Sequence, residues 1–141
     1  MHPDLPNTGR AALMLCAVFL TGPVQAADGA HGDGAREVLA ALRADGPFDA
    51  ANGATLWTTT STHKGKPRAC ADCHGNPPVD EGRHVRTRKT IAPLALSANP
   101  KSLASAKHIN KWLKRNCKWT WGRECSAREK GDLLTYLLTV R

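Results

Sequence analysis

The chain has 141 residues, with 20 Lys and Arg against 12 Asp and Glu for a net charge of +8, and only two Phe and one Tyr beside four Trp. That length makes one domain, and the positive charge comes with neither a helix-turn-helix nor basic residues interleaved with aromatics on a sheet, which excludes a sequence reader of nucleic acid. A domain of this size buries about two-thirds of its unfolded surface, and so few large apolar side chains call for a core component that the chain itself does not supply.

The first element in chain order is a leader. Arg10 precedes the apolar run AALMLCAVFLTG, and PVQA then supplies small residues before a polar stretch, the order of a secretory signal peptide. The run is about twelve residues where a membrane span needs roughly twenty. Leu15 also stands before Cys16, where lipidation needs a small residue. The expectation is a cleaved leader over residues 1–26, cut after Ala26, an exported domain over residues 27–141, and a periplasmic location. Processing removes Cys16, Met1 and Met14, leaving Cys70, Cys73, Cys117 and Cys125 and no methionine. Asp4 and Arg10 leave together, so the net charge stays at +8 and points to an acidic partner or lipid head group.

DGAREVLAALRADGP places Val38, Leu39 and Leu42 on one helical face and stops at Gly46-Pro47, predicting a helix over about 35–44. A second helix begins after Asp49 and carries Gly53, Leu56 and Trp57 on one side. TTTSTHKGKPRA reads as a loop leading into CADCH, and residues 75–100 read as irregular chain wrapped over something, since so long a loop has a functional reason. A third helix is expected to follow Ser102, with Ile109, Trp112, Leu113 and Asn116 at i, i+3, i+4 and i+7. Lys107, Lys111, Lys114 and Arg115 then face water. Ser126 and Glu129 form an S-x-x-E capping box for a last helix with Leu133, Leu134, Leu137 and Leu138 inward. There is no repeat and no strand pattern. The predicted fold class is all-α, about four short helices in one domain.

CADCH, Cys70 to His74, is the C-x-x-C-H pattern of c-type haem attachment: two thiols on one helical turn reach the two vinyl groups, and the next residue offers an imidazole to the iron. A covalent haem is also the missing core. A thioredoxin-like redox pair wants a βαβ setting that the pattern lacks, a zinc site wants a second C-x-x-C where Cys117 and Cys125 are C-x7-C, and a simple Cys70–Cys73 disulfide leaves His74 unexplained.

The use of the haem turns on the sixth iron position. Without a methionine, His/Met ligation is excluded; the alternatives are His31, His63, His84 or His108, a lysine, an asparagine, or an open position. His31 lies near the processed N-terminus, His63 and His84 lie in polar loops, and His108 shares a polar helix side with Lys107 and Lys111. Asn116 takes the last place on an otherwise apolar stripe, which suits a C-terminal helix cap first and leaves an iron ligand as the lesser alternative.

CADCHG, TIAPLALSANP and WLKRNCKWTWGRECSAREKGD together resemble the SHP-type cytochromes c, the sphaeroides haem protein family, over most of the chain from about Trp57 onward. The segment from Arg115 to Cys125 is far more specific than the haem motif. Leu96 stands where many relatives have proline. The resemblance implies a high-spin haem ligated by His74 and Asn116, with Cys70 and Cys73 as attachment points and Cys117 and Cys125 in a disulfide. It implies that the asparagine is lost on reduction, that oxygen and nitric oxide then bind, and that a dihaem cytochrome c and a membrane cytochrome b supply electrons; the chain itself is expected to be a monomer. The cystine would close a nine-residue loop that turns at Gly122. Two readings compete: a plain electron carrier with two histidine ligands, and an enzyme that detoxifies nitric oxide or peroxide, which needs a distal acid or base.

Overall fold

The structure, a computed structural model, describes residues 31–141; the expected leader and its cut after Ala26 lie outside the described residues. Five helices dominate: α1 (Asp33–Ala41), α2 (Ala50–Thr58), α3 (Ala71–His74), α4 (Ala106–Trp121) and α5 (Ala127–Thr139). The mainly helical class is as expected. No described helix is long and apolar enough to cross a membrane.

Two antiparallel hairpins depart from the loop reading. β1 (Ser61–His63) pairs with β2 (Lys66–Arg68), and β3 (Gly82–Arg83) with β4 (Thr90–Ile91). In the first, Lys64 and Gly65 both take positive φ, 52° and 69°, which is the two-residue turn that fits the twist of a hairpin. Asn or Asp is the usual first residue of that turn, so a lysine there hides it in the sequence.

α5 is the spine. Ser126 Oγ accepts from the Glu129 backbone N–H at 3.1 Å and Glu129 Oε2 accepts from Ser126 N at 2.8 Å, so the capping box forms as predicted. Arg123 adds a two-pronged ion pair to the same carboxylate, with contacts of 2.7 and 2.6 Å, and this holds the Glu129 carboxyl down at about 2. α2 lies across α5 where Gly53 has no side chain: a Cβ there would sit 2.2 Å from the Asp132 carbonyl oxygen. Asp49 caps α2 by accepting from Ala51 N at 2.7 Å, and its own N–H donates to buried Asp132 at 2.7 Å. α1 packs on the start of α4 in the same way, since a Cβ on Gly34 would meet Ser105 N at 2.4 Å.

α4 begins at Ala106, capped by Ser105 and three residues later than expected, and it runs to Trp121, where Gly122 at φ 72° ends it. The irregular stretch from Gly75 to Pro100 is pinned to the helices by backbone bonds. Leu94 N and Ala95 N donate to Pro78 O at 3.1 and 3.0 Å, and Leu96 N donates to Leu137 O at 3.0 Å. A proline at 96 lacks that N–H, so the leucine gives this chain a tie to α5 that proline cannot make.

Candidate haem site

α3 is a single turn built around the attachment motif. Asp72 Oδ2 accepts from Ala69 N at 2.8 Å, His74 N donates to Cys70 O at 3.2 Å, and Gly75 at φ 82° ends the turn. Trp57 braces it from α2: its Nε1 donates to Gly75 O at 2.9 Å, and its ring centroid lies 5.9 Å from that of His74. β3 passes directly over the motif, because a Cβ on Gly82 would sit 2.0 Å from Cys73 O. Cys70, Cys73 and His74 all face a cavity of about 800 Å³, closed on the other side by α4 and by Leu133 and Leu137 of α5.

The motif's chemistry narrows its role. Both thiols are unpaired, and burial pushes the Cys70 thiol up to about 11, with the charges of Asp72 and Cys73 adding to the effect against a backbone hydrogen bond. A redox cysteine is shifted the other way. Among the described residues no three His, Cys, Asp or Glu side chains group as a metal cage, and Cys117 is bonded to Cys125, with Cα atoms 5.6 Å apart. The disulfide implied by the resemblance is therefore present, and among the described residues the zinc reading lacks a ligand set. Burial, and secondarily the charge of His84, lowers the His74 pKa, which favours the neutral imidazole that ligates metals.

α4 supplies the opposite wall. His108, Ile109, Trp112, Leu113, Asn116 and Thr120 all line the cavity. Asn116 is five residues short of the helix end, so the capping role is overturned: the 16-residue helix outruns the expected end, and Gly122 caps it. Trp112, expected in the core, is 49 % exposed, because the face it packs against is the cavity itself. Of the histidines, His84 and His108 line the cavity. His63 packs instead against Gly122, where an added Cβ would meet its Nδ1 at 2.5 Å, and His31 is exposed at the start of the described chain. His84 Nδ1 is engaged in its own turn, 3.1 Å from both Thr87 N and Thr87 Oγ1.

Sequence reasoning missed Thr120 and Trp121 as cavity residues. Helical spacing from Asn116 places Thr120 one turn on; the stripe simply was not followed past the expected helix end.

A haem fits these residues. The cavity has the size of a cofactor site, and its walls hold two buried polar atoms without a protein partner, His74 Nδ1 and Trp121 Nε1. Two thiols and an imidazole on one turn are the donor set of covalent haem attachment.

Residues 43–137 match the family described as a domain of unknown function, DUF1924. The cytochrome c-type protein SHP of Cereibacter sphaeroides is 42 % identical over 127 residues, which cover 89 % of this chain and 95 % of that protein. Cytochrome c'' of Methylophilus methylotrophus is 37 % identical over 78 residues, 55 % of this chain and 54 % of that one. The structure of oxidised SHP, described as an oxygen-binding cytochrome c, superposes with a TM-score of 0.67 at 38 % identity, covering 73 % of this chain and 94 % of its own. Oxidised cytochrome c'' superposes with a TM-score of 0.67 at 28 % identity, covering 76 % and 94 %. With this motif, this fold and these relatives, the chain belongs to the SHP family of c-type cytochromes, proteins with one covalent haem c.

Proposed function

We propose that this is a periplasmic monohaem cytochrome that accepts electrons and binds small diatomic ligands, oxygen or nitric oxide, in a site that Asn116 occupies in the oxidised state and vacates on reduction. Cys70 and Cys73 would hold the haem by thioethers, and His74 would ligate its iron in both oxidation states. When bound, the haem supplies an iron that cycles between ferric and ferrous and offers a sixth position. The observation that carries the reading is Asn116 itself: a polar side chain on the cavity face of α4, mid-helix, with no cap to make. Its amide oxygen is a hard, weak-field donor that suits ferric iron better than ferrous. The relatives support release: SHP is described as oxygen-binding, and a solution structure of cytochrome c'' is described as giving insight into haem-ligand detachment.

The test is optical. The oxidised holoprotein is expected to be high-spin; a low-spin spectrum in both oxidation states would instead assign a plain electron carrier with His84 or His108, the cavity histidines, as second ligand.

Maturation gives a second prediction. Mass spectrometry of the exported protein should find a chain starting at Ala27 with one haem that resists acid-acetone extraction. A holoprotein that keeps residues 1–26, or a haem that extracts, overturns it.

The electron donors are a dihaem cytochrome c and a membrane cytochrome b, docking by charge on the α4 side of a monomer. Lys101, Lys107, Lys111, Lys114, Arg115 and Lys118 are all exposed there. Lys114 and Lys118 pair with Glu124 at 3.7 and 3.0 Å, which leaves Lys101, Lys107, Lys111 and Arg115 toward a partner. Arg115 and Lys111 also stack over Trp112, at 4.9 and 5.7 Å from its ring centroid. Electron transfer from an acidic donor should slow as ionic strength rises; a rate indifferent to salt excludes this surface.

A further inference from the structure

Threonine within a helix usually spends its hydroxyl on the carbonyl four residues back. In this protein Thr55, Thr58, Thr135 and Thr139 do so, at 3.0, 3.4, 2.8 and 2.8 Å, and Thr59 at the end of α2 does the same at 2.7 Å. Thr120 does not, although it lies inside α4 and is only 3 % exposed. It lines the cavity, and among the described residues its hydroxyl has no hydrogen-bond partner. Asn116 is one turn earlier on the same face. Helical side chains lean toward the N-terminus, so Thr120 covers the turn that carries Asn116.

We propose that Thr120 is a specificity-determining residue: its hydroxyl donates a hydrogen bond to the small ligand that enters when Asn116 leaves, favouring ligands with an accepting outer atom, such as oxygen, over carbon monoxide. This rests on the Asn116 reading above. A donor on the distal wall is one of the levers by which a haem pocket sorts its ligands. Thr120 can serve as one because, unlike the other threonines of these helices, it gives its proton to no backbone carbonyl among the described residues.

The experiment compares wild type, Thr120→Val and Thr120→Ser as purified reduced holoprotein, measuring affinities for oxygen and carbon monoxide and the C–O stretching frequency of bound carbon monoxide. Valine keeps the shape and removes the hydroxyl. It should lower the oxygen-to-carbon-monoxide affinity ratio about tenfold, the scale of one hydrogen bond, and raise the C–O stretch; serine should restore both. Thr120→Ala is the second apolar variant should valine fail to load haem. If the ratio and the stretch do not move in the apolar variant, Thr120 is not the donor. Asn116→Ala separates the two failures. A changed ferric spectrum there with no Thr120 effect overturns this proposal alone, whereas an unchanged ferric spectrum overturns the Asn116 reading and this proposal with it.

Discussion

Asn116→Ala is expected to change the ferric spectrum and to speed azide or nitric oxide binding to the oxidised protein by about tenfold or more. A ligand whose site is open only a fraction of the time binds more slowly by that fraction, so an asparagine that fills the site nine-tenths of the time costs about tenfold. Stability should move the other way from a lost helix cap. Removing a capping asparagine costs about 1 kcal/mol, but residue 116 lies within α4, which runs to Trp121. There alanine is the better helix former by about 0.5 kcal/mol. The variant should therefore unfold at the same or slightly higher denaturant while its optical properties change. Unchanged spectrum and rates would take Asn116 off the iron and return the search to His84 and His108.

Removing the cystine with Cys117→Ala and Cys125→Ala is expected to lower the unfolding free energy of the holoprotein by about 2.5 kcal/mol, the loop-entropy value for a nine-residue ring. The two sulfurs also belong to the core, at 5 % and 4 % exposure beside Trp57, Leu133 and Leu137, so truncation adds a small cavity cost. The ferric spectrum should survive. The bridge ties α4, one turn before its end, to Cys125 just ahead of the Ser126 cap of α5, and Asn116 is positioned by α4 itself. Urea titrations of the double variant decide the point: an unmoved midpoint would mean that α4 and α5 hold their turn without the bond.

The long periodic elements were legible in the sequence because their signals are local. The Ser126–Glu129 box and the four leucines of α5 need nothing beyond their own turn and one buried face. CADCH identified the cofactor for a similar reason, since attachment chemistry dictates both spacing and residue type. The failures share a cause in groups outside the segment concerned. The extent of α4 was misread because its glycine stop lies beyond Asn116, and Trp112 looked like core because its stripe does face inward, onto a cavity and not onto protein. The hairpin at Lys64-Gly65 was invisible because three-residue strands show no alternation and lysine is an unusual residue to take φ 52°. The Asn116 stripe marked one side of the helix, and the fold shows that Thr120 shares the cavity with it.

All four tryptophans of the chain, Trp57, Trp112, Trp119 and Trp121, line the same cavity. Indole emission overlaps porphyrin absorption, so fluorophores gathered around the pigment lose their excitation to it as long as the chain stays closed. The protein thus carries an optical alarm: dark when folded around its haem, bright when the chain unfolds and carries the indoles away. Because Trp57 is on α2 and Trp119 and Trp121 are at the end of α4, single-tryptophan versions would show which wall opens first.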